Sequence, residues 1–202
     1  AANSGSVDPN QYNNSPLPIS SCSSSTCIEF RKVSTNQDFA QSFVANLAQP
    51  LTLAEFYLKK TGNPSDITVK LVNNNSGAPG TTVLASVSVP KEKITTSFGW
   101  VGAVFGSPAT LVSGQTYWLV IDSSSQNASN YYIIGANNSF TGGVAKVGQQ
   151  GGTWNNTSPT GLDGYFKIYV GQSPSFIGGD TYVGGVVVGS GGIGDAWAHS
   201  VQ

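Results

Sequence analysis

Charged residues are scarce in this chain of 202 residues. Asp, Glu, Lys and Arg make up 9% of it, whereas soluble domains typically contain about 25%. The formal net charge of −1 leaves neither a basic patch for phosphate groups nor an acidic tail. The polar surface must therefore be built from hydroxyl and amide side chains, and we expect no nucleic-acid partner.

Long apolar runs are also lacking. No stretch reaches the length of about 18 apolar residues that a membrane-spanning helix needs. The first residues, AANSGSVDPN, have neither the charged nor the apolar region of a signal peptide. This start is typical of a mature chain after signal cleavage, or of an artificial boundary. We expect a secreted, extracellular or cell-surface protein that does not insert into the membrane.

Residues that carry catalysis are few. His199 is the only histidine, the ten acidic residues are scattered, and no GxSxG, HExxH or P-loop pattern is present. The sequence therefore predicts a protein that is not an enzyme and that needs no cofactor. Calcium is the hardest metal to exclude, since single carboxylates and backbone carbonyls can bind it. Asp163, Asp180 and Asp195 are weak calcium candidates, although turn formation also explains them.

The only two cysteines are Cys22 and Cys27. Four residues between them can close a small ring if the backbone turns. In an oxidising compartment we expect a local disulfide. Two free thiols are the alternative, and a zinc site would lack a second pair of ligands.

Residues 29–172 show short segments of period-two alternation, separated by Gly, Pro, Asn and Ser clusters. This pattern predicts an all-β, jelly-roll-like sandwich of about nine strands in two sheets. No window has helical periodicity. The expected strands are 39–45, 51–60, 66–72, 82–89, 98–105, 116–122, 130–135, 143–148 and 163–170.

Two extensions flank this domain. Residues 1–28 are predicted to be an extended N-terminal arm, because its prolines forbid a regular helix. Residues 173–202 are predicted to be a Gly- and Val-rich β tail with two repeats, in which GDTYVGGV at 179–186 matches GDAWAHSV at 194–201. Two copies are too few for a self-standing solenoid, so the tail must lean on the domain, on a neighbour or on further repeats.

Both extensions contain apolar residues that need a place to dock. Leu17 and Ile19 lie in the arm, and Val186, Val187 and Val188 lie in the tail. An extended segment with such residues can complete the sheet of a neighbouring subunit, since main-chain hydrogen bonds supply affinity. We therefore treat these five residues as donor-strand candidates, with the arm slightly preferred.

Aromatic residues give the second binding signal, because exposed rings can stack on sugars. Trp154 lies in the Gly-rich stretch QQGGTWNN and is expected to be exposed, with Tyr131 and Tyr132 as possible neighbours. Trp100 and Trp118 lie within predicted strands and are expected in the core.

Six asparagines match the Asn-x-Ser/Thr sequon of glycosylation, although a chain rich in Asn and Ser also produces such triplets by chance. Asn74, Asn127 and Asn137 are the most accessible of them on loop grounds. The others are Asn13, Asn155 and Asn156.

Four segments carry a family resemblance: AQSF at 40–43, FYLKKTGNPS at 56–65, TYW at 116–118 and FKIY at 166–169. Together with the chain between them they resemble a jelly-roll module of the choice-of-anchor type, found in secreted bacterial proteins. The flanks are similar to pilin-like surface proteins of uncultivated bacteria. The resemblance implies a β-sandwich at the cell surface and no particular activity.

Two functions fit these features. The first is a structural subunit of an extracellular, pilus-like filament or surface assembly, in which copies of the chain join head to tail by strand donation. The second is a carbohydrate-binding or adhesive module that binds surface glycans, which a sandwich fold equally permits.

Overall fold

The computed structural model describes residues 8–14 and 21–171, together with the backbone of two short strands within 182–187. The described chain is an all-β sandwich of two antiparallel sheets, as predicted. Two 3₁₀ turns cover Ser34–Asn36 and Lys91–Lys93. The strands are β1 (Gln11–Asn13), β2 (Cys27–Phe30), β3 (Asp38–Val44), β4 (Leu51–Thr61), β5 (Ile67–Asn75), β6 (Ala78–Val89), β7 (Gly99–Val104), β8 (Thr116–Asp122), β9 (Tyr131–Asn137), β10 (Ala145–Gly148), β11 (Trp154–Asn156), β12 (Asp163–Gly164), β13 (Phe166–Val170), β14 (Tyr182–Val183) and β15 (Val186–Val187).

The seven-stranded sheet is organised around the long strand β4. One side of β4 pairs with β7, and the other pairs first with β13 and then with β9. The outer row consists of β1 on β13 and β2 on β9. β7 therefore forms one lateral edge of this sheet, and β1 with β2 forms the other.

The six-stranded sheet has the order β11-β10-β3-β8-β5-β6. Its edges are β11 and β6. β6 lies against β7 of the opposite sheet, so these two strands form one lateral edge of the sandwich. β2, β10 and the residues after β11 border the other edge.

Alternating side chains of the two sheets fill the core between them. In β8, Tyr117, Leu119 and Ile121 point into the main core, whereas Trp118 and Val120 belong to a separate cluster on the outer face. Aromatic rings dominate the centre, where Phe30 packs between Phe39 and Tyr132. The largest fully buried core side chains also include Phe43, Phe56, Phe105, Phe166, Leu51, Leu58, Ile67 and Leu71.

The described part of the N-terminal arm belongs to the sandwich. β1 pairs with β13 of its own chain, and the buried Asn13 amide donates hydrogen bonds to the carbonyls of Asp163 and Gly164. β2 begins at Cys27 and crosses the boundary predicted at residue 28. The sandwich thus includes strands on the N-terminal side of that boundary, while Leu17 and Ile19 lie outside the described residues.

Candidate interaction surfaces

The outer face of the six-stranded sheet is covered by the hairpin between β10 and β11. The side chain of Gln150 in this hairpin donates a hydrogen bond of 2.9 Å to the carbonyl of Gly80, which lies in β6. Beneath it, Trp154 packs on a buried cluster of Trp118, Val72, Val120 and Ala40. The chain's own hairpin therefore covers the part of this face that contains the Trp118 cluster, whereas Val44 on the same face is exposed.

The buried carboxylate of Asp38 anchors the hairpin between β10 and β11. Asp38, at the start of β3, accepts hydrogen bonds from the backbone N–H of Ser123 at 2.8 Å and of Gln150 at 2.7 Å. Burial raises the pKa of the Asp38 carboxyl to about 6, and the nearby charge of Asp122 adds to this, although both hydrogen bonds act in the opposite direction. Asp38 thus joins the hairpin to the strand beneath it.

The three aromatic residues predicted to bind a sugar do not form one platform. Tyr132 is fully buried, and its hydroxyl donates to the carbonyl of Ser65, so that its ring cannot stack on a ligand. Trp154 is half-buried against Trp118 rather than exposed. Tyr131 is half-buried on the opposite sheet, with the Lys32 ammonium 4.7 Å from its ring centroid.

A different group of aromatic residues lies on the outer face of the seven-stranded sheet. Tyr57 of β4 is 5.3 Å from Trp100 of β7 and 5.1 Å from Phe98, measured between ring centroids. Lys59 and Lys167 place their ammonium groups 4.9 Å from the Phe98 centroid and 4.0 Å from the Trp100 centroid. We call these five residues the aromatic-lysine face.

The prediction that Trp100 lies in the core is wrong, because it belongs to this half-exposed face. The pairing of the two strands determines the orientation: Phe56 and Val101 are directly paired across β4 and β7 and point into the core, so Tyr57 and Trp100 point outward. Cross-strand ring contacts of this kind stabilise a sheet, and lysine stems shield the rings from water. The face is thus partly covered by its own lysines.

β6 is the longest edge strand among the described residues. β6 spans 12 residues, APGTTVLASVSV, and none of them is charged. Its neighbour on one side is β5, and no strand of the described residues pairs with its other side. Val83 and Leu84 on it are 46% and 39% exposed.

Two register shifts interrupt the pairing of β6 with β5, near Val72 and Asn74 of β5. Beyond them the ladder is regular from Ala85 to Val89. Within this stretch Ala85 and Val89 are buried, Val87 is half-buried against the main core, and the two serines between them are exposed. An open backbone edge therefore runs beside a partly uncovered strip of core.

The opposite lateral edge contains a cleft of about 450 Å³. It is lined by Cys22, Cys27 and Ile28 on one side and by Val147 and Thr157 on the other. Among the described residues that line it, the ionisable side chain is that of Glu29, which pairs with Lys32 at 2.8 Å.

The disulfide predicted between Cys22 and Cys27 is confirmed. Their Cα atoms are 5.4 Å apart, within the usual range for a disulfide. The bridge ties the end of the arm to the first residue of β2.

The calcium candidate Asp163 is buried at the start of β12. Its carboxylate accepts a hydrogen bond of 2.9 Å from the Gln41 amide, whose oxygen accepts one from the backbone of Gly164. Burial raises the pKa of this carboxyl. Among the described residues no group of three or more His, Cys, Asp or Glu side chains could hold a metal, and Asp180 and Asp195 lie outside them.

The three preferred glycosylation candidates lie on the surface. Asn74 and Asn127 are exposed, and Asn137 is half-buried. The side-chain oxygen of Asn74 accepts a hydrogen bond of 2.8 Å from the Trp118 indole. The amide nitrogen of Asn74, the atom that glycosylation modifies, takes no part in this bond. In contrast, the amide nitrogen of Asn13 is engaged in the sheet. Glycosylation at the three surface sites stays a prediction.

Comparison of the chain with family models, with curated proteins and with solved structures found no match. The resemblance to the choice-of-anchor type and to pilin-like proteins therefore stays a prediction. None of the helices among the described residues is long and apolar enough to cross a membrane.

Proposed function

We propose that this chain is a structural subunit of an extracellular filament or surface assembly, and that its subunits join by strand addition. The observation that carries the proposal is the β6 edge. An open edge strand presents unpaired N–H and C=O groups to any other chain, and monomeric proteins usually protect such edges with charges, prolines or short length. β6 has 12 residues, no charge, and a single proline near its start.

The faces of the sandwich favour contacts at the edges. The hairpin that carries Gln150 covers part of one outer face, and lysine stems cover part of the other. The exposed apolar side chains that remain include Val83 and Leu84 on β6 and Val104 on β7, the two strands of one lateral edge. A contact between this edge and a different segment of a second copy is heterologous, and such contacts produce fibres when their rotation does not close a ring.

Substitution of lysines into the β6 edge tests this proposal. The double variant Leu84→Lys/Ser88→Lys replaces two exposed residues, and we expect it to fold but not to form the fibres that electron microscopy should show for the unaltered chain. Charges on an edge oppose the approach of another strand. The matched control Leu47→Lys/Ser124→Lys changes an exposed leucine and an exposed serine away from this edge and should still polymerise.

Light scattering on the same samples separates a loss of assembly from a loss of folding. An unaltered chain that stays monomeric at every concentration tested contradicts the filament proposal. Polymerisation of the β6 double variant to the same extent as the control would assign assembly to another surface.

The aromatic-lysine face supports a second candidate function, a carbohydrate-binding or adhesive module. Exposed aromatic rings beside hydrogen-bonding cations are enriched where proteins bind partners. The double variant Tyr57→Ala/Trp100→Ala should lose binding to any glycan that the unaltered chain retains on an array. Trp154→Ala is the control, because Trp154 lies on the other sheet. A glycan array without signal for the unaltered chain contradicts this function.

A further inference from the structure

The strand that reaches the β6 edge must come from a segment that its own sandwich does not hold. The N-terminal arm is held at two points. β1 pairs with β13 of the same chain, and the disulfide joins Cys22 to β2. The candidates Leu17 and Ile19 lie between these two attachments, so the arm can reach a neighbour only as a short loop.

Proline adds a second difficulty for the arm. Pro16 and Pro18 flank Leu17, and neither can donate a backbone hydrogen bond to a ladder. Because positions 16 and 18 face the same side of an extended strand, a donated strand would lose two bonds in one orientation and none in the other. The two attachments, together with this restriction on orientation, disfavour the arm, which the sequence alone had slightly preferred.

The tail has the composition that the edge requires. Residues 181–193, TYVGGVVVGSGGI, contain no proline and no charged residue. The same is true of the edge stretch from Ala85 to Val89. Val186 and Val188 share one face of any extended strand, because side chains alternate with a period of two. If the segment adds as a strand to β6, the side chains on one of its faces would cover the part of the core beside Val87, which is half-buried.

The two residue pairs of the tail that the structure describes adopt β structure. β14 and β15 pair with each other in a two-stranded sheet, and neither pairs with a strand of the two sandwich sheets. A two-stranded ladder alone is marginally stable in water, whereas addition to a sheet stabilises it. We infer that β15 and the residues that follow it, 186–193, of one copy add as a strand to the β6 edge of a second copy, an inference that rests on the filament function proposed above.

Cysteine crosslinking between two full-length variants tests this pairing. Ser86→Cys marks the exposed middle of the regular β6 stretch, and Val187→Cys marks the tail, with Val188→Cys as a second tail variant for the other face. Equal amounts of one β6 variant and one tail variant are assembled together and treated with a short bismaleimide. We expect a heterodimer that contains one copy of each variant. Ser124→Cys, an exposed serine away from the edge, replaces Ser86→Cys in the control and should give none.

The outcomes separate the inference from the filament function. Fibres without the heterodimer contradict the inference and leave the filament function intact. A heterodimer of Ser86→Cys with Ile19→Cys, in place of the tail variants, has the same meaning, because it assigns the donated strand to the arm. A Ser86→Cys/Val187→Cys double variant that crosslinks within single chains places the tail on its own domain and also overturns the inference. The absence of both fibres and crosslinks contradicts both proposals.

Discussion

Replacing Trp118 with alanine should lower the free energy of unfolding by about 3–5 kcal/mol, the usual cost of truncating a buried large aromatic side chain. Trp118 is only 1% exposed although it lies on the outer face of its sheet. Its ring packs with Val72 and Trp154 beneath the hairpin, and its indole donates to Asn74. The truncation leaves a cavity that a fixed sheet below and an anchored hairpin above cannot close.

Chemical denaturation of the variant measures this effect, and Trp100→Ala is the matched control. Trp100 is half-exposed on the other sheet, so its truncation should cost only about 1 kcal/mol, as is usual at partly exposed positions. Equal losses for the two variants would show that the hairpin does not seal the outer face in solution.

Acidification from pH 7 to pH 4 should stabilise the fold, with a contribution of about 2–3 kcal/mol from Asp38 alone. The folded-state pKa of this buried carboxyl is raised to about 6, above its unfolded value. Its stabilising contribution is therefore complete below about pH 4 and is lost as the pH rises through about 6. Burial raises the pKa of Asp163 as well, in the same direction.

Unfolding midpoints at a series of pH values measure this dependence. Asp38→Asn should reduce the increase in stability between pH 7 and pH 4, because the side chain at position 38 no longer titrates. Glu92→Gln, a change of an exposed carboxylate, should keep the rise. Stability that falls steadily on acidification of the unaltered chain would contradict the buried, hairpin-anchoring role of Asp38.

The sequence predicts the main strands well because turn residues and alternation are local signals. Each of the nine expected strands has a counterpart, and β8 has the predicted bounds of 116–122. Three short strands are missed. β2 begins within a Ser-rich stretch, β11 follows a Gly-rich turn, and β1 has three residues. Each depends on a distant partner strand that no local pattern specifies.

The orientation of strands with two apolar faces is harder to predict. In GWVGAV and in TYWLVI both parities are apolar, so alternation cannot say which face is inside. Trp118 is buried because a hairpin some 30 residues later in the chain covers it. Trp100 is half-exposed because no hairpin among the described residues covers it. The aromatic-lysine face and the β6 edge arise from pairing across the sheets, and the sequence alone could not locate them.

The pairing of β1 with β13 also determines the order in which this chain can fold. Asn13 bonds to carbonyls about 150 residues further along the chain, and β2 needs β9, about 100 residues on. A chain that emerges with its N-terminal part first must leave both strands unpaired until almost the whole sandwich has emerged, and such long-range pairing folds slowly. Cys22 and Cys27 can join much earlier, since they are five positions apart. β1, which precedes the other described strands in the chain, is therefore among the last strands to be placed.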